Sequence, residues 1–212
     1  MESNPTNIIT ITKEQLATMP VVTFPGKITV IDKIDEAVSA LEYLSSQKTI
    51  GFDTETKPAF KKGQTNKVSL IQMSSADQCF LFRINKIGFI PQLKQLIEDE
   101  SITKIGLSLK DDFLVLHRIW QFTPAGFIDL QNMAKRFNIA DGSLQKIYGI
   151  LFSQRISKGQ RLSNWEAEAL SESQQMYASI DAWACLKIYN YLLSGNFNPE
   201  ESPYQIEKSE LL

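Results

Sequence analysis

Cysteine and histidine are scarce in this chain of 212 residues, which contains two cysteines and one histidine. Each cysteine lies in an apolar stretch, Cys79 directly before Phe80 and Cys185 directly before Leu186. Cysteines in such surroundings behave as small hydrophobic residues, so the sequence favours two buried thiols over a disulfide bond or a metal site built on sulfur. Free thiols of this kind are typical of a reducing compartment.

An excess of charge of either sign is also absent. Lysine and arginine total 22 against 24 aspartates and glutamates, which gives a formal net charge of −2. No basic field covers the whole molecule, so any contact with a nucleic acid must come from a local group of basic residues. Apolar runs of membrane-spanning length are missing, and the first residues lack the basic start and apolar segment of a signal peptide. We expect a soluble, cytoplasmic protein.

The length and the 43% content of hydrophobic residues are sufficient for one compact domain with a single core. Residues 1–25 contain three prolines and show little periodicity, and residues 195–212 begin with a similarly irregular stretch. We therefore expect the domain at 26–194, between a loosely attached N-terminal segment and a flexible C-terminal tail.

The spacing of apolar residues predicts a sheet that is covered by helices. Three short apolar runs separated by turn residues predict a meander of strands at 49–54, 68–73 and 79–84. Further strands are expected at 28–31 and 104–107, and helices at 34–44, 91–99, 112–120 and 173–193. A meander followed by alternating strands and helices is typical of an α/β fold with a mixed central sheet.

The first candidate site lies in the strand at 49–54 and just beyond it. Because side chains alternate along a strand, Gly51, Asp53 and Glu55 share one face. Two like charges side by side are costly unless a cation bridges them or water solvates them freely, and Gly51 would leave room for a close ligand. For an Asp-x-Glu pattern in isolation, a strand end that runs into a solvated turn is the better interpretation.

The last predicted helix carries the second candidate, since Tyr177 and Asp181 are four residues apart and lie on one face. The same face continues through apolar residues, at Ala184, Cys185, Ile188 and Leu192. A carboxylate within an apolar stripe is costly unless it is paired or binds a metal ion. Asp53 and Glu55 with bound cations would supply that partner; hydrogen bonds from backbone amides or a basic residue are the alternative.

The third candidate is the pair Asp111 and Asp112, where an extended segment turns into a helix. One of these acids can cap the helix, because aspartate is a favoured N-cap and suits the positive end of the helix dipole. Asp112 shares its helical face with Leu116 and Ile119, so we expect Asp112 to point inward.

Together and in this order, the three segments closely resemble the DEDD exonucleases, which are named for four acids in three motifs. The likeness is greatest to the branch of ribonuclease D and the Werner syndrome exonuclease domain, and it spans 28–193. The first motif is similar to Phe52-Asp53-Thr54-Glu55, with 68–72 following at the family's usual interval. The second motif resembles 104–106 with Asp112 as its acid, which selects Asp112 over Asp111.

The third motif is the most specific, and it resembles Leu170-Ser171-x-x-Gln174-x-x-Tyr177-Ala178-x-x-Asp181-Ala182. The preceding segment Leu162-Ser163-Asn164-Trp165 is also similar to its counterpart in the same branch. A tyrosine at 177, where a sister branch carries histidine, indicates the tyrosine subtype. The only histidine, His117, falls elsewhere, and we expect it to be a surface or partly buried helix residue.

The resemblance implies a ribonuclease-H-like fold and a metal-dependent 3′–5′ exonuclease whose catalytic residues are Asp53, Glu55, Asp112, Tyr177 and Asp181. Four converging carboxylates suit two divalent ions about 4 Å apart, and oxygen ligands favour Mg²⁺ or Mn²⁺ over zinc. By the resemblance, Asp53 bridges both ions, Glu55 and Asp181 complete the site of the nucleophile's metal, and Asp112 holds the second ion. Tyr177 would orient the attacking water.

The implied substrate is a nucleic acid with a free 3′ end, from which nucleoside 5′-monophosphates are released one at a time. Candidates for phosphate contacts are the basic residues Lys57, Lys61, Lys62, Lys67, Arg155, Lys158 and Arg161, and candidates for base stacking are Phe60 and Trp165. Each has an ordinary alternative, since loop lysines are usually solvated and aromatic residues are usually core.

The sequence leaves the choice between DNA and RNA open, because contacts to the sugar 2′ position decide it. We favour DNA, since a catalytic domain without an appended helicase or further nucleic-acid-binding domain is nearer in layout to a DNA-repair exonuclease. The alternative functions are a nucleic-acid-binding module of the same fold with little turnover and an unrelated α/β interaction domain.

Overall fold

The computed structural model describes residues 7–58 and 66–211. The strands in these residues are β1 (Asn7–Ile9), β2 (Lys27–Ile31), β3 (Thr49–Thr56), β4 (Val68–Ser74), β5 (Gln78–Arg83), β6 (Thr103–Gly106), β7 (Phe127–Asp129) and β8 (Gln205–Glu207). The α-helices are α1 (Lys13–Ala17), α2 (Ile34–Ser45), α3 (Ile84–Ile87), α4 (Pro91–Glu98), α5 (Leu109–Leu116), α6 (Leu130–Lys135), α7 (Leu144–Phe152) and α8 (Glu172–Leu193). Short 3-10 helices follow at Pro199–Glu201 and Lys208–Leu211.

Six strands form one sheet in the order β2-β5-β4-β3-β6-β7. β4 is antiparallel to β3 and β5, whereas the pairs β2–β5, β3–β6 and β6–β7 are parallel. β4 therefore runs against the other five strands, and the predicted meander and mixed sheet are confirmed. The carboxyl ends of β3, β6 and β7 meet at one edge, which is where open α/β sheets place their ligand clefts.

Helices cover both faces of this sheet, and each face has its own hydrophobic cluster. One cluster joins α6, α7 and α8 to the sheet, and the other joins α2, α4 and α5 to the opposite face. α8 begins with a capping box, in which the Ser171 side chain accepts from the backbone of Gln174 and the Gln174 side chain accepts from the backbone of Ser171. The capping box fixes the start of the long helix that crosses the sheet.

Gly51 lets α8 lie directly on β3. A Cβ at this position would be 1.9 Å from the carbonyl oxygen of Ala182. The expectation that Gly51 leaves room for a ligand was wrong, because the backbone of α8 fills that space. The absence of a side chain at Gly51 instead brings the helix close to the two acids that follow in the strand.

The described parts of both terminal segments pack against the domain. Ile9 and Ile11 are buried in the main cluster, and β1 pairs antiparallel with β8. Phe197 packs against Phe137, with ring centroids 6.2 Å apart. The expected loose attachment is therefore corrected for these residues, since isolated apolar side chains in a proline-rich segment gain enough burial to order it. The boundaries at 26 and 194 stay predictions.

Other predictions from composition can also be compared with the structure. Cys79 and Cys185 are both buried free thiols, as predicted. His117 is exposed at the end of α5, where its ring stacks on Phe122 at 4.3 Å. Among the described residues, no helix is both long and apolar enough to cross a membrane.

Candidate active site

β3 presents two acids on the face that α8 covers. Ile50 and Phe52 are fully buried in the cluster on the opposite face, as the two-residue period of a strand requires. Asp53 and Glu55 consequently point to the α8 side, at the carboxyl end of β3. The predicted alternation of the strand is confirmed.

α8 delivers the third acid. Asp181 is buried, and its carboxylate oxygen lies within 4.8 Å of carboxylate oxygens from Asp53 and Glu55, which also lie within that distance of each other. One turn earlier on the same helix, Tyr177 lies close enough to Asp181 for the charge of that carboxylate to raise the pKa of the phenol. The strand and the helix thus bring together four of the five residues that the sequence selected.

Asp112 completes the set from α5. Its side chain is buried whereas that of Asp111 is exposed, so the predicted choice between the two acids agrees with the structure. The hydroxyl of Thr54 donates to Asp112 Oδ1 at 2.5 Å. Asp112 lies near enough to raise the pKa of Asp53 by its charge. Its carboxylate borders the three-acid cluster and is anchored to β3 by Thr54.

Neither acid caps α5, which corrects one expectation. The carboxylate of Asp129, at the end of β7, accepts from the backbone N–H of Ser108 at 3.3 Å and of Leu109 at 3.0 Å. Ser108 has a left-handed backbone conformation, with φ of 62°, and the helix begins directly after it. An acid from a neighbouring strand therefore satisfies the helix start, and Asp112 is left free to face the site.

The site strongly disfavours four ionised carboxylates. Burial raises the pKa of Glu55 to about 9 and the pKa values of Asp112 and Asp181 to about 7. Burial also raises the pKa of Asp53 well above its usual range, and the three neighbouring acids add to that rise. The pKa of Tyr177 is raised as well, by burial and by these acids. The arrangement therefore needs protons or cations to be stable.

The donor set fits divalent metal ions. Carboxylate oxygens are the ligands that Mg²⁺ and Mn²⁺ prefer, and three of them converge here within 4.8 Å. Within 7–58 and 66–211, none of the four acids forms a salt bridge that would neutralise it. Arg161 acts only at longer range, where its charge lowers the pKa of Glu55.

A cleft of about 350 Å³ opens beside the acids. Its walls include Asp53, Tyr177 and Asp181, and also Lys158 and Arg161, two of the basic residues that the sequence selected for phosphate contacts. Other wall residues were not predicted, among them Ser108, Gln131 and Ser143. Ser108 and Gln131 follow the ends of β6 and β7, so their position after parallel strands is the sequence signal that could have identified them. β7 itself was not predicted, because it has only three residues.

The remaining substrate candidates differ in their surroundings. Lys57 forms an ion pair with Glu166 at 3.2 Å, and Lys67 is exposed. Arg155 donates from Nε to the carbonyl oxygen of Met19 at 3.1 Å, which holds the N-terminal segment in place. Phe60, Lys61 and Lys62 lie outside the described residues.

Trp165 is not available for stacking on a base. Its side chain has no exposed surface, and its ring packs near that of Tyr177, with centroids 6.0 Å apart. The stacking prediction for Trp165 was therefore wrong, because the indole supports Tyr177 from within the core.

Residues 28–195 match the family model described as 3′–5′ exonuclease. This chain belongs to that family. The family is of the DEDD type, whose exonucleases depend on divalent metal ions, and the matched residues therefore form a 3′–5′ exonuclease domain.

Two curated relatives illustrate the match. The exonuclease domain is 31% identical over 202 residues to the bifunctional 3′–5′ exonuclease/ATP-dependent helicase WRN of Mus musculus, covering 91% of this chain and 14% of the mouse protein. It is 28% identical over 191 residues to a 3′–5′ exonuclease of Arabidopsis thaliana, covering 82% of this chain and 66% of the plant protein. The chain thus spans a small part of the mouse relative.

Solved structures support the ribonuclease-H-like fold. The Nibbler EXO domain of Aedes aegypti superposes with a TM-score of 0.74 at 22% identity, over 85% of this chain and 97% of that domain. Escherichia coli RNase D, an exoribonuclease involved in structured RNA processing, gives a TM-score of 0.72 at 24% identity, over 79% of this chain and 44% of RNase D. The predicted α/β architecture is confirmed.

Proposed function

We propose that this chain is a metal-dependent 3′–5′ exonuclease that hydrolyses phosphodiester bonds of a nucleic acid and releases nucleoside 5′-monophosphates. The observation that carries the proposal is the convergence of Asp53, Glu55 and Asp181 within 4.8 Å, with Asp112 beside them. Membership of the exonuclease family supports it. A cluster this acidic and this buried is costly for stability alone, so a catalytic use of its charge is the better account.

Each acid has a place in this proposal. Asp53, Glu55 and Asp181 would hold a divalent ion together, and Asp112, steadied by Thr54, would hold a second ion with Asp53. Two such ions, Mg²⁺ or Mn²⁺, would polarise the scissile phosphate and stabilise the charge on the attacking and leaving oxygens. The protein's own contribution is a rigid set of oxygen ligands at the end of the sheet.

Tyr177 would position the attacking water. Tyr177 lies in the wall of the cleft, near Asp181. The raised pKa of this phenol keeps its proton on the oxygen at neutral pH. The hydroxyl can therefore orient water by hydrogen bonding, but it cannot remove a proton from it.

We propose a nucleic acid with a free 3′ end as the substrate, with DNA favoured over RNA. Lys158 and Arg161, in the cleft wall, would contact its phosphates. A role in DNA repair goes with the preference for DNA, and both stay predictions. Two buried free thiols support a cytoplasmic location.

The test is a time course on denaturing gels with single-stranded DNA, recessed duplex DNA and RNA, each labelled at the 5′ end. In Mg²⁺ or Mn²⁺ we expect a ladder that shortens from the 3′ end, fastest with DNA, and no cleavage in EDTA. Faster cleavage of RNA would reverse the substrate preference and leave the exonuclease assignment intact.

The neighbouring acids Asp111 and Asp112 offer a matched pair of variants. Asp112→Asn should lower kcat by about 10² or more, because it removes one of the charges that preorganise the site, whereas Asp111→Asn should retain activity because Asp111 is exposed. Folded wild-type protein that binds Mn²⁺ but cleaves none of the three substrates would instead identify a nucleic-acid-binding module.

A further inference from the structure

Gln72 lies opposite Asp53 in the sheet. In the antiparallel pair of β3 and β4, the register places Asp53 against Gln72 and Glu55 against Leu70. Residues paired in this way point to the same face, and their Cβ atoms are about 4.5–5.5 Å apart. The side chain of Gln72 therefore points toward the α8 side of the sheet, next to the proposed metal ligand.

The amide of Gln72 has no partner of its own. The residue has no exposed surface, and neither its Nε2 nor its Oε1 makes a hydrogen bond within the described parts of the chain. A buried amide without partners is costly, and an apolar residue of similar size would avoid the cost. Packing therefore does not explain a glutamine at this position.

Its other side-chain neighbours on the sheet offer the amide no charged acceptor. Leu81, opposite Gln72 on β5, and Leu70, two residues before it on β4, are apolar. The hydroxyl of Ser74, two residues after it, already donates to the carbonyl oxygens of Ser75 and Gln78. The carboxylate of Asp53 is the acceptor that the strand register provides.

We propose that Gln72 is a positioning residue: its amide, which makes no hydrogen bond with the described residues, donates to the Asp53 carboxylate opposite it when that carboxylate binds a metal ion. A donor from β4 would fix the direction of this carboxylate toward the metal site. A hydrogen bond to an ionised carboxylate is stronger than one between neutral groups. This inference rests on the proposed function, because it assigns Gln72 a task only if Asp53 binds metal.

Gln72→Met tests the inference, since methionine keeps the volume and removes both polar atoms. We expect the dissociation constant for Mn²⁺ to rise by about tenfold to a hundredfold. The measurement is a calorimetric titration of Mn²⁺ into the metal-free full chain. kcat at subsaturating Mn²⁺ should fall in proportion, while KM for the oligonucleotide and the melting temperature of the metal-free protein stay at or above their wild-type values.

Ser69→Ala is the matched control, because Ser69 is also a fully buried β4 residue with an unpartnered polar atom. This variant should keep the wild-type Mn²⁺ affinity. An equal loss of Mn²⁺ affinity in both variants would overturn the inference. Wild-type Mn²⁺ affinity in Gln72→Met would overturn it as well. A Gln72→Met protein that melts well below the metal-free wild type would overturn it too, since the amide would then stabilise the fold itself. Wild-type protein that neither binds Mn²⁺ nor cleaves would refute the proposed function instead.

Discussion

The hydroxyl of Tyr177 lies among carboxylates that oppose its ionisation. Burial raises the pKa of this phenol first, and the charges of Asp181, Glu55 and Asp53 raise it further. A group in this state donates hydrogen bonds and does not accept a proton from water. The hydroxyl of Tyr177 would therefore orient the attacking water, and its ring packs against that of Trp165.

Tyr177→Phe separates these two contributions. We expect kcat to fall by about 10² because the water loses its orienting group, with little change in the melting temperature because the ring contact with Trp165 remains. Steady-state kinetics on a labelled oligonucleotide would measure the effect. Tyr189→Phe, on the same helix, is the control, and a Tyr177→Phe enzyme with wild-type kcat would exclude the orienting role.

The direction in which a site side chain points was well predicted where the periodicity of a helix or strand applied. The inward direction of Asp112 follows from its helical face, and the shared direction of Asp53 and Glu55 follows from strand alternation. The partners of these residues could not be predicted in the same way. Thr54 on β3 donates to Asp112 on α5, and Asp129 at the end of β7 accepts from the start of α5. Both contacts depend on the packing of elements that are distant in sequence.

At the scale of elements, the distance between α8 and β3 decides whether the acids meet. Asp181 reaches Asp53 because the helix backbone at Ala182 lies against the bare α-carbon of Gly51. Any side chain at position 51 would have to displace the helix. The glycine therefore acts on the site through the packing of two elements.

Gly51→Ala should destabilise the protein by about 1–3 kcal/mol, since its Cβ would overlap backbone that cannot rotate away. It should also weaken Mn²⁺ binding, because Asp181 moves with α8. Urea unfolding and Mn²⁺ calorimetry measure the two effects. At Gly159 the nearest heavy atom to an added Cβ is the Ser157 hydroxyl at 3.5 Å, so Gly159→Ala should be nearly neutral. Similar behaviour of the two variants would contradict the proposed role of Gly51.

Long elements were easier to predict than short ones. α8 extends over Glu172–Leu193 and was predicted at 173–193, because many turns repeat one pattern. α5 begins at Leu109, before the predicted start at 112, since a left-handed Ser108 and the carboxylate of Asp129 set its first turn. β7, with three residues, carries too little pattern to be recognised.

For the whole molecule, the acid cluster couples stability to pH. The pKa of Glu55 rises from 4.5 to about 9, and those of Asp112 and Asp181 rise from 3.8 to about 7. Between the unfolded and folded values, the metal-free folded protein binds more protons than the unfolded chain. Its free energy of unfolding therefore falls as the pH rises through this range, and a bound cation offsets the loss.

Thermal unfolding in EDTA and in Mn²⁺ tests this coupling. At a hundredfold excess over the dissociation constant, binding adds about 2.7 kcal/mol, which raises the melting temperature by about 5–10 °C for a chain of this size. The metal-free protein should melt lower at about pH 8 than at about pH 6, and Mn²⁺ should stabilise it more at the higher pH. An Mn²⁺ shift that is equal at both pH values would contradict the assignment of these acids as ligands.

The sequence by itself determined the α/β architecture, because local periodicity carries that information, and its resemblance to the DEDD motifs pointed to the family and to the five site candidates. The tertiary structure alone decided that Gly51 admits a helix instead of a ligand, that Trp165 is core, and that the described parts of the terminal segments pack on the domain. It also placed the unpartnered amide of Gln72 opposite Asp53. These features depend on which distant residues meet, and that is fixed only when the sheet and its helices pack together.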